Sequence, residues 1–181
     1  MNFTEDWVTH NTPNFEKCMK ALDAPHHHFL EIGCFEGRAT CWMLQNGLER
    51  DGYITCIDTF KPYWYTGGDL LEKFQANVRE VKKPNQVVST VQMDSYQGLS
   101  MLIQQKQVFD FIYIDGDHSP SGVLTDACMA WGLLRKGGVM LFDDYEYDKE
   151  PTKVGIQGFM QGFTDKCDLV LQNYQLAVRK K

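Results

Sequence analysis

Two groups of acidic side chains each follow an apolar run in the sequence. The run FDFIYI is followed by Asp115, Asp117 and His118, and the run GGVMLF is followed by Asp143 and Asp144. Carboxylates gathered at one point repel one another strongly unless a cation neutralises them. Oxygen ligands of this kind favour Mg²⁺, Mn²⁺ or Ca²⁺ over Zn²⁺. If the two groups meet in space, they predict a site for a divalent cation.

Helix capping is the alternative explanation for the first group. Asp117, Ser119 or Ser121 would be a suitable cap for the helix that is predicted to follow. A cap accounts for one of these residues, but it does not account for Asp115 together with the pair Asp143-Asp144. The cation site is therefore the prediction that covers more of the residues.

The stretch LEIGCFEGRAT contains a second set of candidate residues. It is typical of a strand, a glycine turn and the start of a helix, in which Gly33 and Gly37 let the backbone approach a ligand. NAD fits poorly, because the third glycine of the GxGxxG turn is missing. Asp58, at the end of the next apolar run, is placed to accept hydrogen bonds from both ribose hydroxyls. Glu31 is suited to an ammonium group, and S-adenosylmethionine combines a ribose with a cationic amino acid and carries no phosphates.

The elements that must position these residues follow from apolar spacing. The predicted strands are 27–33, 52–60, 86–93, 109–115, 137–144 and two short strands within 168–180, and the predicted helices are 14–22, 37–48, 69–81, 96–105, 121–134 and 155–163. Alternating strands and helices predict a mainly parallel sheet with helices on both faces. Ligands bind such sheets at the carboxyl ends of the strands. The histidines at 26–28 precede the first strand and are expected at the opposite end, away from the cation site.

The length and composition favour a single globular domain. We expect one domain over residues 1–181, with an N-terminal cap helix region at 1–27 and the core at 28–181. The net charge of −6 argues against nucleic acid as a partner. No apolar run approaches the ~20 residues that span a membrane, and no signal peptide is recognisable. The six scattered cysteines contain no CxxC pair and indicate reduced thiols in a cytoplasmic protein.

The pattern E-I-G-x-x-x-G with an acid after the second strand resembles class I S-adenosylmethionine-dependent methyltransferases. The resemblance implies a Rossmann-like, doubly wound α/β sheet of seven strands, mostly parallel with an antiparallel C-terminal strand and helices on both faces. It also implies contacts to S-adenosylmethionine from Glu31, Gly33, Cys34, Gly37, Asp58, Thr59, Met93, Asp94, Ser95 and Asp115. Among these, Met93, Asp94 and Ser95 are expected to border the adenine.

The stretch IDGDH, followed 26 to 27 residues after its second aspartate by DDY, resembles the metal-dependent O-methyltransferases. It is most similar to the branch that methylates sugar hydroxyls, which includes the macrocin-type enzymes, and the similarity runs from about residue 28 to the end. The resemblance implies that Asp115, Asp143 and Asp144 bind Mg²⁺ or Mn²⁺. It places Asp117 at the general-base position, and the adjacent His118 could replace or assist it.

An aromatic insert and one further tyrosine are the candidates for contact with the acceptor. Trp64 and Tyr65, in the insert KPYWYTGGD, could stack on a sugar ring, and Tyr145 follows the acidic pair. The alternative for Trp64 is that it packs down as a lid, and Trp7 and His10 could also fold over the site. We expect a small-molecule or glycan acceptor with vicinal hydroxyls, such as rhamnose, and a possible homodimer. A catechol or phenolic O-methyltransferase and a non-catalytic nucleoside-binding subunit are the alternatives.

Overall fold

The computed structural model describes residues 1–23, 26–62, 65–149 and 151–181. Its strands are β1 (His28–Ile32), β2 (Tyr53–Asp58), β3 (Val87–Gln92), β4 (Phe109–Ile114), β5 (Leu134–Phe142), β6 (Cys167–Gln172) and β7 (Leu176–Lys180). Its α-helices are α1 (Thr12–Ala21), α2 (Arg38–Trp42), α3 (Leu70–Val81), α4 (Ser95–Gln104), α5 (Pro120–Leu133) and α6 (Thr152–Phe163). Helix α2 continues as a π-helical turn over Met43–Gly47, and 3₁₀ turns cover Thr9–Asn11 and Thr164–Lys166.

The strands form one seven-stranded sheet in the order β3-β2-β1-β4-β5-β7-β6. Every pair from β3 to β5 is parallel. Strand β7 is antiparallel to both of its neighbours. This confirms the predicted Rossmann-like sheet with its antiparallel C-terminal strand. The strand order reverses between β1 and β4, and a doubly wound sheet binds its ligand at such a point.

Alternating side chains of the central strands build a hydrophobic core on each face of the sheet. Phe111 and Tyr113 of β4 pack on one face with Phe15 of α1. Ile112 packs on the other face with the helices α5 and α6, where it joins Trp131. All six residues of β4 are buried, as expected for a parallel strand covered on both faces. The two cores hold the carboxyl ends of β1 and β4 in fixed positions.

The start of β5 is the main difference from the predicted boundaries. The strand begins at Leu134 rather than at 137, and Leu134 pairs with Phe109. A shift of register between Phe109 and Phe111 accommodates the additional residues. A search for apolar runs misses this segment because Arg135 and Lys136 are polar. The Arg135 side chain forms an ion pair with Asp110 of β4.

Within the described ranges, the helices are too short or too polar for any of them to cross a membrane.

Candidate active site

A cleft of about 880 Å³ opens at the carboxyl ends of β1, β2, β4 and β5. Most of the residues that the sequence proposes for the site line it, including the glycine turn and both acidic groups. Of the proposed residues that the structure describes, Gly37, Tyr65 and Tyr145 do not line it. Trp64 lies outside the described residues. The sequence therefore located one continuous cleft.

The glycine turn after β1 depends on the lack of a side chain at two positions. Gly33 has φ +82° and Gly37 has φ +83°. A Cβ atom on Gly33 would lie 1.9 Å from the carbonyl oxygen of Asp115, so the turn and the end of β4 are in direct contact. A Cβ atom on Gly37 would lie 2.8 Å from the ring of Phe74 in α3. Gly33 thus shapes the cleft, whereas Gly37 supports it from behind.

Asp58, at the end of β2, holds the same turn. Its Oδ2 atom accepts hydrogen bonds from the backbone N–H groups of Cys34 (2.7 Å) and Phe35 (2.9 Å). Its Oδ1 atom accepts one from the N–H of Phe60 (2.6 Å). The carboxylate lines the cleft while it fixes the turn, and carboxylate oxygens have lone pairs for further donors. Contact with ribose hydroxyls, by Asp58 and the adjacent Thr59, stays a prediction.

Glu31 forms part of the floor of the cleft. The residue is 1% exposed, and its Oε2 atom accepts a hydrogen bond from the Thr40 hydroxyl. Burial raises the pKa of Glu31 well above its usual range, and the negative charges of Asp115 and Asp58 add to the rise. A cationic group in the cleft would oppose both effects. The environment is therefore compatible with the predicted contact to an ammonium group.

The end of β3 forms another wall of the cleft. Met93 is 41% exposed, and Asp94 caps α4 by accepting a hydrogen bond from the N–H of Gln97 at 2.8 Å. Ser95 begins the helix. The capping role of Asp94 is thus explicit in the structure, and the contact of these residues with adenine stays a prediction.

Behind this wall lies a buried carboxyl group that the sequence did not single out. Asp126 of α5 is 2% exposed, and its Oδ2 atom has no hydrogen-bond partner among the described residues. Burial raises the pKa of Asp126 to about 6, while a hydrogen bond with the Ser95 side chain opposes the rise. This pKa lies above the ordinary aspartate value of 3.8, so ionisation of Asp126 destabilises the folded state.

The substitution Asp126→Asn should therefore stabilise the protein increasingly as the pH rises from about 4 to above 6. The difference should approach about 3 kcal/mol, since each pKa unit corresponds to about 1.4 kcal/mol. Urea denaturation of both proteins at pH 4.5 and pH 8 measures the change. Asp165→Asn, at an exposed carboxyl group, is the control. A stability difference that is the same at both pH values would contradict the expectation.

The two acidic groups meet because β4 and β5 are neighbours. Ile114 pairs with Phe142, so Asp115 and Asp143 follow paired residues. His118 lies between the outer carboxylates, with its Nε2 atom 3.4 Å from Asp115 Oδ1. Its Nδ1 atom lies 3.7 Å from Asp144 Oδ2. Asp115, His118 and Asp144 together offer one ligand atom each within 4.8 Å of one another.

Asp143 lies deeper than this group and is surrounded by hydrogen-bond donors. The residue is 7% exposed, and its Oδ2 atom accepts a hydrogen bond from the Tyr113 hydroxyl. Its Oδ1 atom accepts from Gln175 Nε2 (2.9 Å), the N–H of Asp144 (2.9 Å) and Asn11 Nδ2 (3.5 Å). The structure therefore brings Asp115 and Asp144 together with His118, and it places Asp143 beneath them. A ligand role for Asp143 stays a prediction.

The electrostatics of the group fit a divalent cation. Burial and the neighbouring Asp143 carboxylate raise the pKa of Asp115 to about 7, and His118 partly opposes the rise. Burial and the charge of Asp144 raise the pKa of Asp143. Both pKa values are raised because several buried negative charges at one place are unfavourable in free energy. A cation at this place would stabilise the ionised carboxylates. The carboxylate oxygens of Asp115 and Asp144 are suitable donors for Mg²⁺ or Mn²⁺.

Asp117 is not part of this group of ligand atoms. Its Oδ1 atom accepts a hydrogen bond from the N–H of Ser119 at 2.8 Å, and Ser119 caps α5 by accepting from the N–H of Gly122 at 3.1 Å. Capping is therefore the observed role of Ser119, one of the alternatives left open by the sequence. Asp117 still lines the cleft, but His118 is the residue placed between the two outer carboxylates.

Three non-glycine residues beside the cleft have positive φ angles. They are Phe35 (47°), Phe60 (53°) and Asp144 (54°). Such conformations cost of order 1–3 kcal/mol each and are often found at functional sites. The backbone conformation at Asp144 lets successive residues take different directions: Asp143 is buried beneath the group and Asp144 faces the cleft.

The aromatic rim differs from the one that the sequence proposed. Tyr145 is 6% exposed and packs in the core beside α6, outside the cleft. Tyr147 and Tyr174 line the cleft in its place, and the Tyr174 hydroxyl donates to Asp144 Oδ1. The Tyr65 hydroxyl lies 3.4 Å from Glu36 Oε1, next to the glycine turn. The correction at Tyr145 arises because the chain turns inward directly after Asp144.

The N-terminal segment crosses the glycine turn and supplies part of the rim. Trp7 stacks on Phe35 with ring centroids 5.2 Å apart, and both residues line the cleft. The N–H and hydroxyl of Thr4 both donate to the buried Glu36 at 2.6 Å. His10 packs edge-on to Tyr174 at 5.5 Å. Trp7 and His10 therefore lie over the site, as the sequence suggested.

The residues that surround Asp143 escaped the sequence analysis. Tyr113 lies inside an apolar run, and Asn11 and Gln175 are 132 and 32 residues away from Asp143 in the chain. The only available signal was a tyrosine with a polar tip in a strand that is otherwise buried.

The fold is that of class I methyltransferases. The family described as "Methyltransferase domain" matches residues 30–145, and the chain belongs to that family. An uncharacterized protein of Acanthamoeba polyphaga mimivirus is 28% identical over 120 residues, which are 65% of this chain and 51% of that protein. The chain thus spans about half the length of this curated relative.

Solved structures share the fold. An O-methyltransferase from Bacillus cereus, in complex with S-adenosylhomocysteine, is similar with a TM-score of 0.70 and 21% identity over 98% of this chain and 84% of that chain. A TDP-rhamnose 3′-O-methyltransferase of calicheamicin biosynthesis is similar with a TM-score of 0.65 and 18% identity. The match covers 94% of this chain and 80% of that chain. A methyltransferase of the mycinamycin pathway, in complex with Mg and S-adenosylhomocysteine, is similar with a TM-score of 0.63 and 18% identity. The match covers 97% of this chain and 51% of that chain.

Proposed function

We propose that this chain is an S-adenosylmethionine-dependent O-methyltransferase that uses a divalent cation and acts on a hydroxyl of a sugar with vicinal hydroxyls. The observation that carries the proposal is the convergence of Asp115, His118 and Asp144 in the cleft that also contains the glycine turn. Methyl transfer to oxygen requires an activated hydroxyl, and this group of residues supplies the means to activate one.

The methyl donor would occupy the part of the cleft between the glycine turn and the end of β3. Gly33 allows the close approach, Glu31 faces the cationic amino-acid part, and Asp58 accepts from the ribose. Met93 and Ser95 would border the adenine. The complex of the Bacillus cereus protein with S-adenosylhomocysteine supports this assignment, since that protein has the same fold.

Asp115 and Asp144 would hold the cation, together with Asp143 if its carboxylate also turns toward the cleft. A bound divalent cation lowers the pKa of a coordinated hydroxyl and orients it. The carboxylates fix the position of that charge, because tyrosines contact them: Tyr113 donates to Asp143 and lies 3.2 Å from Asp115, and Tyr174 donates to Asp144. The mycinamycin-pathway protein, described as a complex with Mg, supports a cation in this fold.

His118 would be the general base. The acceptor oxygen forms a bond to the methyl carbon while the carbon–sulfur bond breaks, and the hydroxyl proton moves to the base. His118 lies between the carboxylates that would hold the cation, whereas the Asp117 carboxylate already accepts from the N–H of Ser119. Asp117 would then act mainly in shaping the start of α5.

Substitution of His118 and of Asp117 in turn tests which of the two is the general base. The substitution His118→Ala should lower kcat about 10²–10⁴-fold, the usual contribution of a general base. The substitution Asp117→Asn keeps the shape of the side chain and its acceptor oxygen, so it should lower kcat less than about 10-fold. Both rates are measured with saturating cation and donor. If Asp117→Asn is the more damaging change, proton transfer belongs to Asp117.

The acceptor would lie against the aromatic rim formed by Trp7, Tyr147 and Tyr174. The apolar face of a sugar ring stacks on such side chains, while two adjacent hydroxyls reach the cation. The similarity to a TDP-rhamnose 3′-O-methyltransferase supports a sugar. A catechol also presents two adjacent hydroxyls and is the second candidate. A cytoplasmic location and a homodimer stay predictions.

A panel of sugar nucleotides, free glycosides and catechols, incubated with labelled donor, tests the proposal. Transfer to a glycoside that stops with EDTA and returns with Mg²⁺ or Mn²⁺ is the expected result. Faster transfer to catechols would favour the second candidate. Full activity in EDTA would exclude the cation, and donor binding without transfer to any acceptor would favour a nucleoside-binding subunit.

A further inference from the structure

Tyr113 joins the carboxylates of two neighbouring strands. It lies on β4 two residues before Asp115, so the two side chains share one face of the sheet. Its hydroxyl lies 3.2 Å from Asp115 Oδ2 and donates to Asp143 Oδ2. Among the described residues, this is the one side chain that lies within hydrogen-bond distance of both Asp115 and Asp143.

The phenol ring has little freedom to move. Tyr113 is 1% exposed, and Phe15 of α1 packs edge-on against it with ring centroids 4.9 Å apart. A hydroxyl carries a single hydrogen, so the donation to Asp143 leaves the other contact as a close approach to Asp115 Oδ2. Since the ring is fixed, the position of the oxygen is fixed as well. The two carboxylates are therefore held relative to each other by a rigid group.

This contact gives the two carboxylate oxygen atoms of Asp115 different surroundings. Asp115 Oδ2 faces Tyr113, and Asp115 Oδ1 faces His118 in the cleft. Asp143 is held on its other oxygen by Gln175, whose side chain is 0% exposed and bonds to Asn14. One oxygen of Asp115 is thus turned toward the cleft, and Asp143 is fixed behind it. Groups that orient ligands in this way commonly contribute to metal affinity.

We propose that Tyr113 is a positioning residue for the divalent cation: its hydroxyl donates to Asp143 and fixes the place of Asp115 Oδ2, so that Asp115 Oδ1 faces the ion. The inference rests on the cation site of the proposed function. It predicts that the hydroxyl of Tyr113 contributes to cation affinity and contributes little to binding of the methyl donor, whose predicted contacts are to other residues.

The test is calorimetric titration of the full chain and of Tyr113→Phe, which removes one oxygen atom. The affinity for Mn²⁺ should fall about 10-fold or more in the variant. The affinity for S-adenosylhomocysteine should change less than about 2-fold. In kinetic assays, the KM for the cation should rise while kcat at saturating cation stays close to that of the natural protein. Tyr53→Phe, at a half-exposed tyrosine at the opposite end of the sheet, is the matched control.

Unchanged Mn²⁺ affinity in Tyr113→Phe would overturn the inference. An equal loss of Mn²⁺ and S-adenosylhomocysteine affinity would also overturn it, because that result indicates general damage. If Tyr113→Phe does not fold, Gln175→Met removes a donor from the same carboxylate and should weaken Mn²⁺ binding selectively in the same way. A natural protein that binds neither Mn²⁺ nor Mg²⁺ would refute the proposed cation dependence itself, and the inference with it.

Discussion

Replacing Asp115 by asparagine should lower methyl transfer about 10³-fold and should at the same time stabilise the protein in the absence of a cation. The loss of rate follows because asparagine has the shape of aspartate but lacks its charge, so the cation is bound and oriented poorly. Metal ions contribute several kcal/mol to such reactions, and each 1.4 kcal/mol or so corresponds to a factor of 10.

The gain in stability follows from the sign of the pKa shift. Burial and the Asp143 carboxylate raise the pKa of Asp115 from 3.8 to about 7. The folded state therefore holds a proton that the unfolded chain releases, and its stability falls as the pH rises through this interval. At pH 8 the folded natural protein has the full destabilisation, and Asp115→Asn should be more stable by about 4 kcal/mol. Near pH 4 the difference should vanish.

Thermal unfolding with and without Mn²⁺ measures the stability of each protein and its binding of the cation. The ion should raise the Tm of the natural protein, because it binds only the folded state, and should leave that of Asp115→Asn nearly unchanged. Asp165→Asn, at an exposed carboxyl group remote from the cleft, is the control. A variant that is inactive and also destabilised at pH 8 would indicate that Asp115 is a structural residue rather than a cation ligand.

The position of the site could be predicted from the sequence because strand ends are visible as apolar runs followed by acids. Asp58 and Asp115 each follow such a run, and the parallel sheet brings both to one edge. Neighbouring strands then place Asp115 beside the pair Asp143-Asp144. Each step uses only periodicity and sheet topology, which local sequence specifies well.

The direction of individual side chains could not be predicted in the same way. Whether Asp117 or His118 lies between the outer carboxylates depends on loop torsions and on one hydrogen bond from the N–H of Ser119 to Asp117. Tyr145 turns into the core because Asp144 has a positive φ angle, which no neighbouring glycine signals. The donors to Asp143 come from distant segments that meet only in the folded chain. Local pattern thus determines where the site lies, and tertiary contacts determine which oxygen atoms it offers.

The substitution Gly33→Ala should destabilise the protein by more than about 4 kcal/mol and abolish binding of S-adenosylhomocysteine. Two physical causes contribute to this loss of stability, and they can be measured separately. Gly33 has φ +82°, which costs a residue with a Cβ atom about 1–3 kcal/mol. In addition, the new Cβ atom would lie 1.9 Å from the carbonyl oxygen of Asp115. That clash must be relieved by moving the glycine turn away from the end of β4, and so by distorting the cleft.

Gly68→Ala isolates the first cause. Gly68 has φ +94°, but a Cβ atom there would meet nothing within 4 Å. This control should therefore lose only the backbone term of about 1–3 kcal/mol and should bind S-adenosylhomocysteine normally. Urea denaturation and calorimetry of both variants measure the two quantities. If Gly33→Ala is no less stable than Gly68→Ala and binds equally well, the contact between the turn and β4 does not constrain the cleft. A larger loss confined to Gly33→Ala would show that van der Waals contact between two strand ends, and not glycine flexibility alone, shapes the site.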